Sequence, residues 1–174
     1  MNKVIIIDTS VFCVYLKLPG WTSCGKGANT WDFESIDQKL KNEETKGTSF
    51  VLPLATIIET GNHISQSTGN RYQLADRFGN IMIDCADDKD PWTAFSQQAD
   101  LWTDETLKNL AGTWPELAAQ KISIGDATIK EVADYYARTG YIEVEIFSGD
   151  AGLKAYQPPL PKQIGVPTPR RRKR

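Results

Sequence analysis

Apolar side chains in this chain come as short runs and as helically spaced sets, and the two kinds alternate. Residues 3–7 form a mostly β-branched run (Val4, Ile5, Ile6, Ile7) that ends at an acid, Asp8. Such a run predicts a strand buried on both faces. Residues 11–18 continue as a short helix stopped by Pro19-Gly20. Phe50, Val51 and Leu52 predict a second strand, and Pro53 suits the first turn of a helix running through Ile64. Leu74, Phe78 and Met82 place a helix over 71–83, before a charged break over 84–91. Helices are expected over 92–102 and 104–110, the second capped by Thr103 or Asp104, with a short turn over 115–120. A long helix starts at Ser123, carries Ile129, Val132, Ala133 and Tyr136 on one face, and ends near Gly140. Residues 141–147 read as a strand and 151–156 as a last short helix.

Strands alternating with helices predict an α/β domain with a parallel sheet. The domain spans 1–157, with irregular insertions near 19–49, where 33–40 is helical in pattern, and near 84–120. Residues 158–174 form a tail rich in proline and basic at its end. No apolar run is long enough to span a bilayer, and Asp8, Thr9 and Ser10 interrupt the first one as no secretory signal would. A cytoplasmic protein without a membrane partner is expected. Cys13, Cys24 and Cys85 are odd in number and lack metal-ligand spacing, so they read as reduced thiols, with Cys13 and Cys85 in the core. A thiol nucleophile would want a histidine, and the chain has one, His63. It follows Glu59 by a helical turn, which faces it either into a pocket or into a structural hydrogen bond.

The formal charge of −2 conceals an asymmetry. Five basic residues close the chain (Arg170, Arg171, Arg172, Lys173, Arg174), leaving 15 of the 20 basic residues against 22 acidic ones in the body. An acidic body does not coat duplex nucleic acid broadly; it fits a small acidic pocket that takes divalent cations. The basic end reads either as a solubilising tail or as an arm that grasps phosphate.

In parallel sheets function gathers at the carboxyl ends of strands and the helix starts beside them. Asp8 follows the first predicted strand and Asp150, in Ser148-Gly149-Asp150, follows the last; Asp126 lies near the start of the long helix. Glu59 sits among apolar neighbours in the helix after Pro53, where an unpaired charge is costly. Each acid also has a local reading: a helix-start charge for Asp126, an Asx turn for Asp8 and Asp150, a surface ion pair for Glu59. Together they supply the hard oxygen ligands that Mg²⁺ or Mn²⁺ prefers.

The segments Ile5-Ile6-Ile7-Asp8-Thr9-Ser10-Val11, Leu52 to Glu59, Gly125-Asp126-Ala127-Thr128-Ile129 and Ile146-Phe147-Ser148-Gly149-Asp150 resemble, in order and setting, those of the PIN-domain nucleases. The resemblance implies a three-layer α/β/α fold with a central parallel sheet. It implies that Asp8, Glu59, Asp126 and Asp150 are catalytic residues holding one or two Mg²⁺ or Mn²⁺ ions, some through water, with Ser10 and Ser148 orienting ligand or water. The substrate implied is RNA cut endonucleolytically by metal-activated water, which needs no histidine base. Many small bacterial members are toxins held by an antitoxin, so an inhibitory protein partner and a homodimer are expected by analogy. The insertions and the basic tail lie outside the shared pattern. A PIN-like binding module without activity and a nuclease acting on DNA are the rival readings.

Other signals are weaker. Gly20 to Gly27 nearly spells a phosphate loop, but Gly27 stands where Ser or Thr is needed and a helix precedes it. Trp21, Trp31, Trp92, Trp102 and Trp114 either stack on unpaired bases or pin the insertions to the core. Lys154 reads equally as a phosphate contact or a solvated residue.

Overall fold

The computed structural model of the protein describes residues 2–94, 98–138 and 140–161. The first apolar run is strand β1 (Lys3–Ile7), and only Asp8 separates it from helix α1 (Thr9–Tyr15). A hairpin of β2 (Ser23–Cys24) and β3 (Trp31–Asp32) leads into α2 (Phe33–Glu44), whose start is fixed by a reciprocal cap between Asp32 and Ser35. Strand β4 (Ser49–Leu52) is followed by α3 (Leu54–Gln66) and α4 (Arg71–Ala86). Then come β5 (Trp92–Ala94), α5 (Gln98–Leu101), α6 (Asp104–Ala119), α7 (Ile124–Ala137), β6 (Glu143–Phe147) and α8 (Ala151–Lys154).

The main sheet has the order β5-β4-β1-β6 and every pairing in it is parallel. Alternation along β1 divides the core in two. Ile5 and Ile7 join Phe50, Leu52 and Phe147 against α1, α2 and α4, through Phe12, Ile36 and Phe78. Val4 and Ile6 join Val51, Val144 and Ile146 against α7, through Ile129, Val132 and Ala133. Helices cover both faces, so the architecture is the expected three-layer α/β/α sandwich around a parallel sheet. Among the described residues no helix is long and apolar enough to cross a membrane.

At the amino end of the sheet Lys3 lies 2.7 Å from Glu145, 3.2 Å from Glu43 and 3.7 Å from Glu143. Charge at that end is therefore neutralised by basic side chains. The carboxyl end, with Asp8, is built differently.

Three sequence expectations need correction. The helix over 92–102 is not continuous: Trp92–Ala94 pairs beside β4, where the Trp92 ring packs edge-on against Phe12 and Phe50. An open sheet edge and two aromatic partners override a helical pattern there. The turn over 115–120 is the last stretch of α6, which runs through Pro115. That proline and Ala111, whose carbonyl it leaves unpaired, are exposed, so water can take the freed acceptor. Finally, the charged break at 84 begins later, because α4 continues to Ala86 and buries Cys85.

Candidate active site

The carboxyl ends of β1 and β6 meet in one hydrogen-bonded turn. The Asp8 amide donates to the Phe147 carbonyl (3.1 Å), extending the β1–β6 ladder by one residue. The Asp8 side chain is thereby fixed at the mouth of the central strand, only 5 % exposed. Its Oδ2 accepts from the Ser10 hydroxyl at 2.6 Å and the Ser148 hydroxyl at 2.8 Å. Those hydroxyls are themselves held. Ser10 Oγ accepts from the Gly149 amide (3.3 Å), and Ser148 Oγ accepts from the Asp150 amide (2.8 Å). Both serines thus orient a carboxylate, and Ser148 links Asp8 to the Asp150 turn.

Glu59 reaches the same region from α3. Thr56, one turn earlier and fully buried, donates to the Ile7 carbonyl at 2.8 Å and pins the start of α3 to the end of β1. The Thr9 hydroxyl then donates to Glu59 Oε2 at 2.7 Å. The other oxygen, Oε1, lies so close to Gly125 that a Cβ there would collide with it. Gly125 immediately precedes Asp126, so the Glu59 carboxylate sits against the first turn of α7.

Asp126 and Asp150 also do the local work expected of such positions. Asp126 Oδ2 accepts from the Ser123 hydroxyl (2.8 Å) and amide (3.1 Å), closing a capping box at the start of α7. Asp150 caps α8 by accepting from the Gly152 amide at 2.6 Å, and it is exposed. A cap occupies one carboxylate oxygen and leaves the charge in place.

Electrostatics connects Asp8 with Asp126. Burial raises the Asp8 carboxyl above the ordinary aspartate range, the serine hydroxyls pull it down, and the negative charge of Asp126 pushes it up again. Among the described residues none of the four acids takes part in an ion pair. Of the four, only Asp8 is buried; Glu59 and Asp126 are half-buried and Asp150 is exposed.

Whether a divalent cation fits can be judged from these donors. They are hard oxygens, as Mg²⁺ and Mn²⁺ require. No three acidic, histidine or cysteine side chains among the described residues converge into a ready-made cage. Any ion there would have at most one or two carboxylates as direct ligands and water for the rest, an arrangement Mg²⁺ tolerates. Asp8 with Glu59 or Asp126 would provide the direct ligands, and Asp150 would act through the solvent-facing side.

Thr9, Thr56, Gly125 and Asn29 are site residues that sequence reading passes over. Thr9 lies between two selected positions, but its partner is 50 residues away, so only the fold reveals its task. His63 does not join the acids in any hydrogen bond; its ring packs edge-on against Trp21, centroids 4.9 Å apart. Burial pushes the Cys13 thiol up to about 12 and raises Cys24 as well. Both are shifted away from the thiolate form that a nucleophile needs. Lys154 donates to Asn29 Oδ1 at 2.8 Å.

Two clefts flank the acids. One, of 470 Å³, opens between the hairpin and the Asp150 turn and is lined by Ser10, Trp21, Lys26 and Asp150 among others. The other, of 220 Å³, is apolar and lies on the Glu59 side between Ile58, Trp102 and Ile124. A larger one, of 740 Å³, lies toward the far end of α7, where Glu131, Arg138 and Lys108 line it with mixed charge. Compared with known proteins, the chain matches no family model, no curated protein and no solved structure.

Proposed function

We propose that this chain is a divalent-metal-dependent endoribonuclease of the PIN type, hydrolysing RNA phosphodiester bonds at the Asp8 rim. The observation that carries the reading is Asp8 itself: a buried carboxylate at the end of the central parallel strand, beside other acids and without a basic partner. Such a charge is costly in the metal-free fold. Natural folds keep that arrangement at functional sites, where a ligand offsets the cost.

The residues divide the work by position. Ser10 and Ser148 hold one oxygen of Asp8, and Thr9 holds one oxygen of Glu59, so both carboxylates present fixed geometry to an incoming ion. Asp126 adds negative charge from the side, and Asp150 marks the solvent-facing edge where a strand would enter. A bound Mg²⁺ or Mn²⁺ would supply charge neutralisation at the phosphate and acidify a water at neutral pH. No thiol or histidine takes part in this account.

The test is cleavage of a labelled single-stranded RNA, with its deoxyribose counterpart run beside it. Cleavage is expected to require Mn²⁺ or Mg²⁺, to stop with a chelator, and to fall roughly a hundredfold or more in Asp8→Asn and Glu59→Gln. Cutting that survives both the chelator and Asp8→Asn would refute the proposal. Preferential cutting of the deoxyribose strand would move the substrate to DNA, and equal cutting would show that the 2′-hydroxyl is not read.

A further inference from the structure

We propose that the cleft between the β2–β3 hairpin and the Asp150 turn is a nucleotide subsite. It takes a nucleoside next to the scissile phosphate of a single-stranded nucleic acid, with Trp21 as a wall for the base and Lys26 as the charge for a phosphate. This inference rests on the nuclease reading of the acids beside it.

The cleft has the size and the make-up for such a ligand. Its 470 Å³ falls within the range of about 300–1,000 Å³ usual for small-ligand pockets. Ser10 and Asp150 line it, so it opens directly from the acidic rim. A strand whose phosphate lies at Asp8 therefore has its next nucleoside within reach of this wall.

The wall is built rather than left over. Gly25, at φ +82°, turns the hairpin so tightly that a Cβ there would run into the Asn29 carbonyl oxygen, and it would lie 3.2 Å from the Gly149 carbonyl oxygen. A Cβ at Gly149 would lie 2.6 Å from the Gly25 nitrogen. Asn29 then bolts the hairpin to the site. Its Nδ2 donates to the Gly149 carbonyl (3.4 Å), and its Oδ1 accepts from Trp31 Nε1 (3.1 Å) and Lys154 Nζ (2.8 Å). Trp21 is half-buried and set in place by the His63 ring.

Charge selects the occupant. Lys154 is engaged by Asn29, whereas Lys26 is exposed and makes no ion pair among the described residues. The acidic body offers no broad basic track, so affinity must come from a few local contacts. An aromatic wall serves a base only when that base is unstacked, which favours a single strand over a duplex.

The experiment pairs binding with cleavage on the full chain. Anisotropy of a labelled single-stranded RNA hexamer is measured without divalent metal for wild type, Trp21→Leu, Lys26→Glu and the remote control Lys108→Glu, with thermal melts to confirm folding. Cleavage in Mn²⁺ is followed in parallel. Trp21→Leu and Lys26→Glu should each weaken binding about tenfold and raise KM, with kcat changed far less. Lys26→Glu should also flatten the salt dependence by about one phosphate contact, while Lys108→Glu behaves as wild type. If both cleft variants fold, bind and cut like wild type, the subsite is refuted and the nuclease reading stands. If binding depends on the cleft but no strand is cut in Mn²⁺, the subsite stands and the nuclease reading fails. If wild type neither binds nor cuts, both are wrong.

Discussion

Asp8 meets two opposed demands: to remain an anion, and to sit almost out of water. Because its folded-state pKa is raised, its favourable contribution is complete below the ordinary aspartate value and is lost as pH climbs through the folded value. Holding that side chain ionised therefore burdens the metal-free fold. Asp8→Asn keeps the acceptor for Ser10 and Ser148 and removes the charge. It is expected to raise the metal-free Tm, where each ~1 kcal/mol is worth about 2–4 °C for a chain of this size. Differential scanning at pH 7 checks this, and a lower Tm would mean that Asp8 stabilises the fold on its own. Gly125 provides a second test at the same scale. Gly125→Ala displaces the end of a flexible side chain rather than backbone, so stability should change by less than about 1 kcal/mol while cleavage falls about tenfold. A wild-type rate in Gly125→Ala would show that the position of Glu59 is immaterial.

Among the elements, those with strong local signals were legible. The β-branched run of β1, the apolar run of β4 and the segment around β6 each became a sheet strand, and Ser123 starts α7 as a cap with Asp126 closing the box. Asp8 and Asp150 could be placed at strand ends for the same reason. Strand β5 was not legible, because three residues carry too little pattern and its pairing comes from Phe50 and Phe12, about forty and eighty positions back. Thr56 belongs to this scale too, since its bond to the Ile7 carbonyl spans 49 positions and sets the angle at which α3 delivers Glu59. Thr56→Val preserves shape and loses that bond, at a cost of about 1–2 kcal/mol. A fall in Tm of roughly 3–6 °C together with weaker cleavage is expected; a Tm within a degree of wild type would show that α3 is held in place by apolar packing alone.

For the molecule as a whole, the two ends of the sheet differ in how charge is handled. Burial opposes ionisation of Glu43, but hydrogen bonds from Lys46, Thr48 and Lys3 outweigh it and hold that carboxyl at about 2. Its folded-state pKa is depressed, so its contribution is present above the ordinary glutamate value and disappears as pH falls from about 4.5 toward 2. Urea midpoints measured from pH 7 down to pH 2 should drop across that window in wild type and more shallowly in Glu43→Gln, which starts lower at pH 7. Parallel curves for the two proteins would contradict the role assigned to Glu43. The basic residues 170–174 lie outside the described residues, so what they add to an acidic body follows from their charge alone.

The opposite end of the sheet, where Asp8 has no basic partner, carries the central claim, and its most direct test is calorimetry of Mn²⁺ with wild type and Asp8→Asn at neutral pH. Saturable binding to wild type is expected, with loss of that binding in a fully folded Asp8→Asn. No binding to wild type at millimolar Mn²⁺, or equal binding to both proteins, would contradict it.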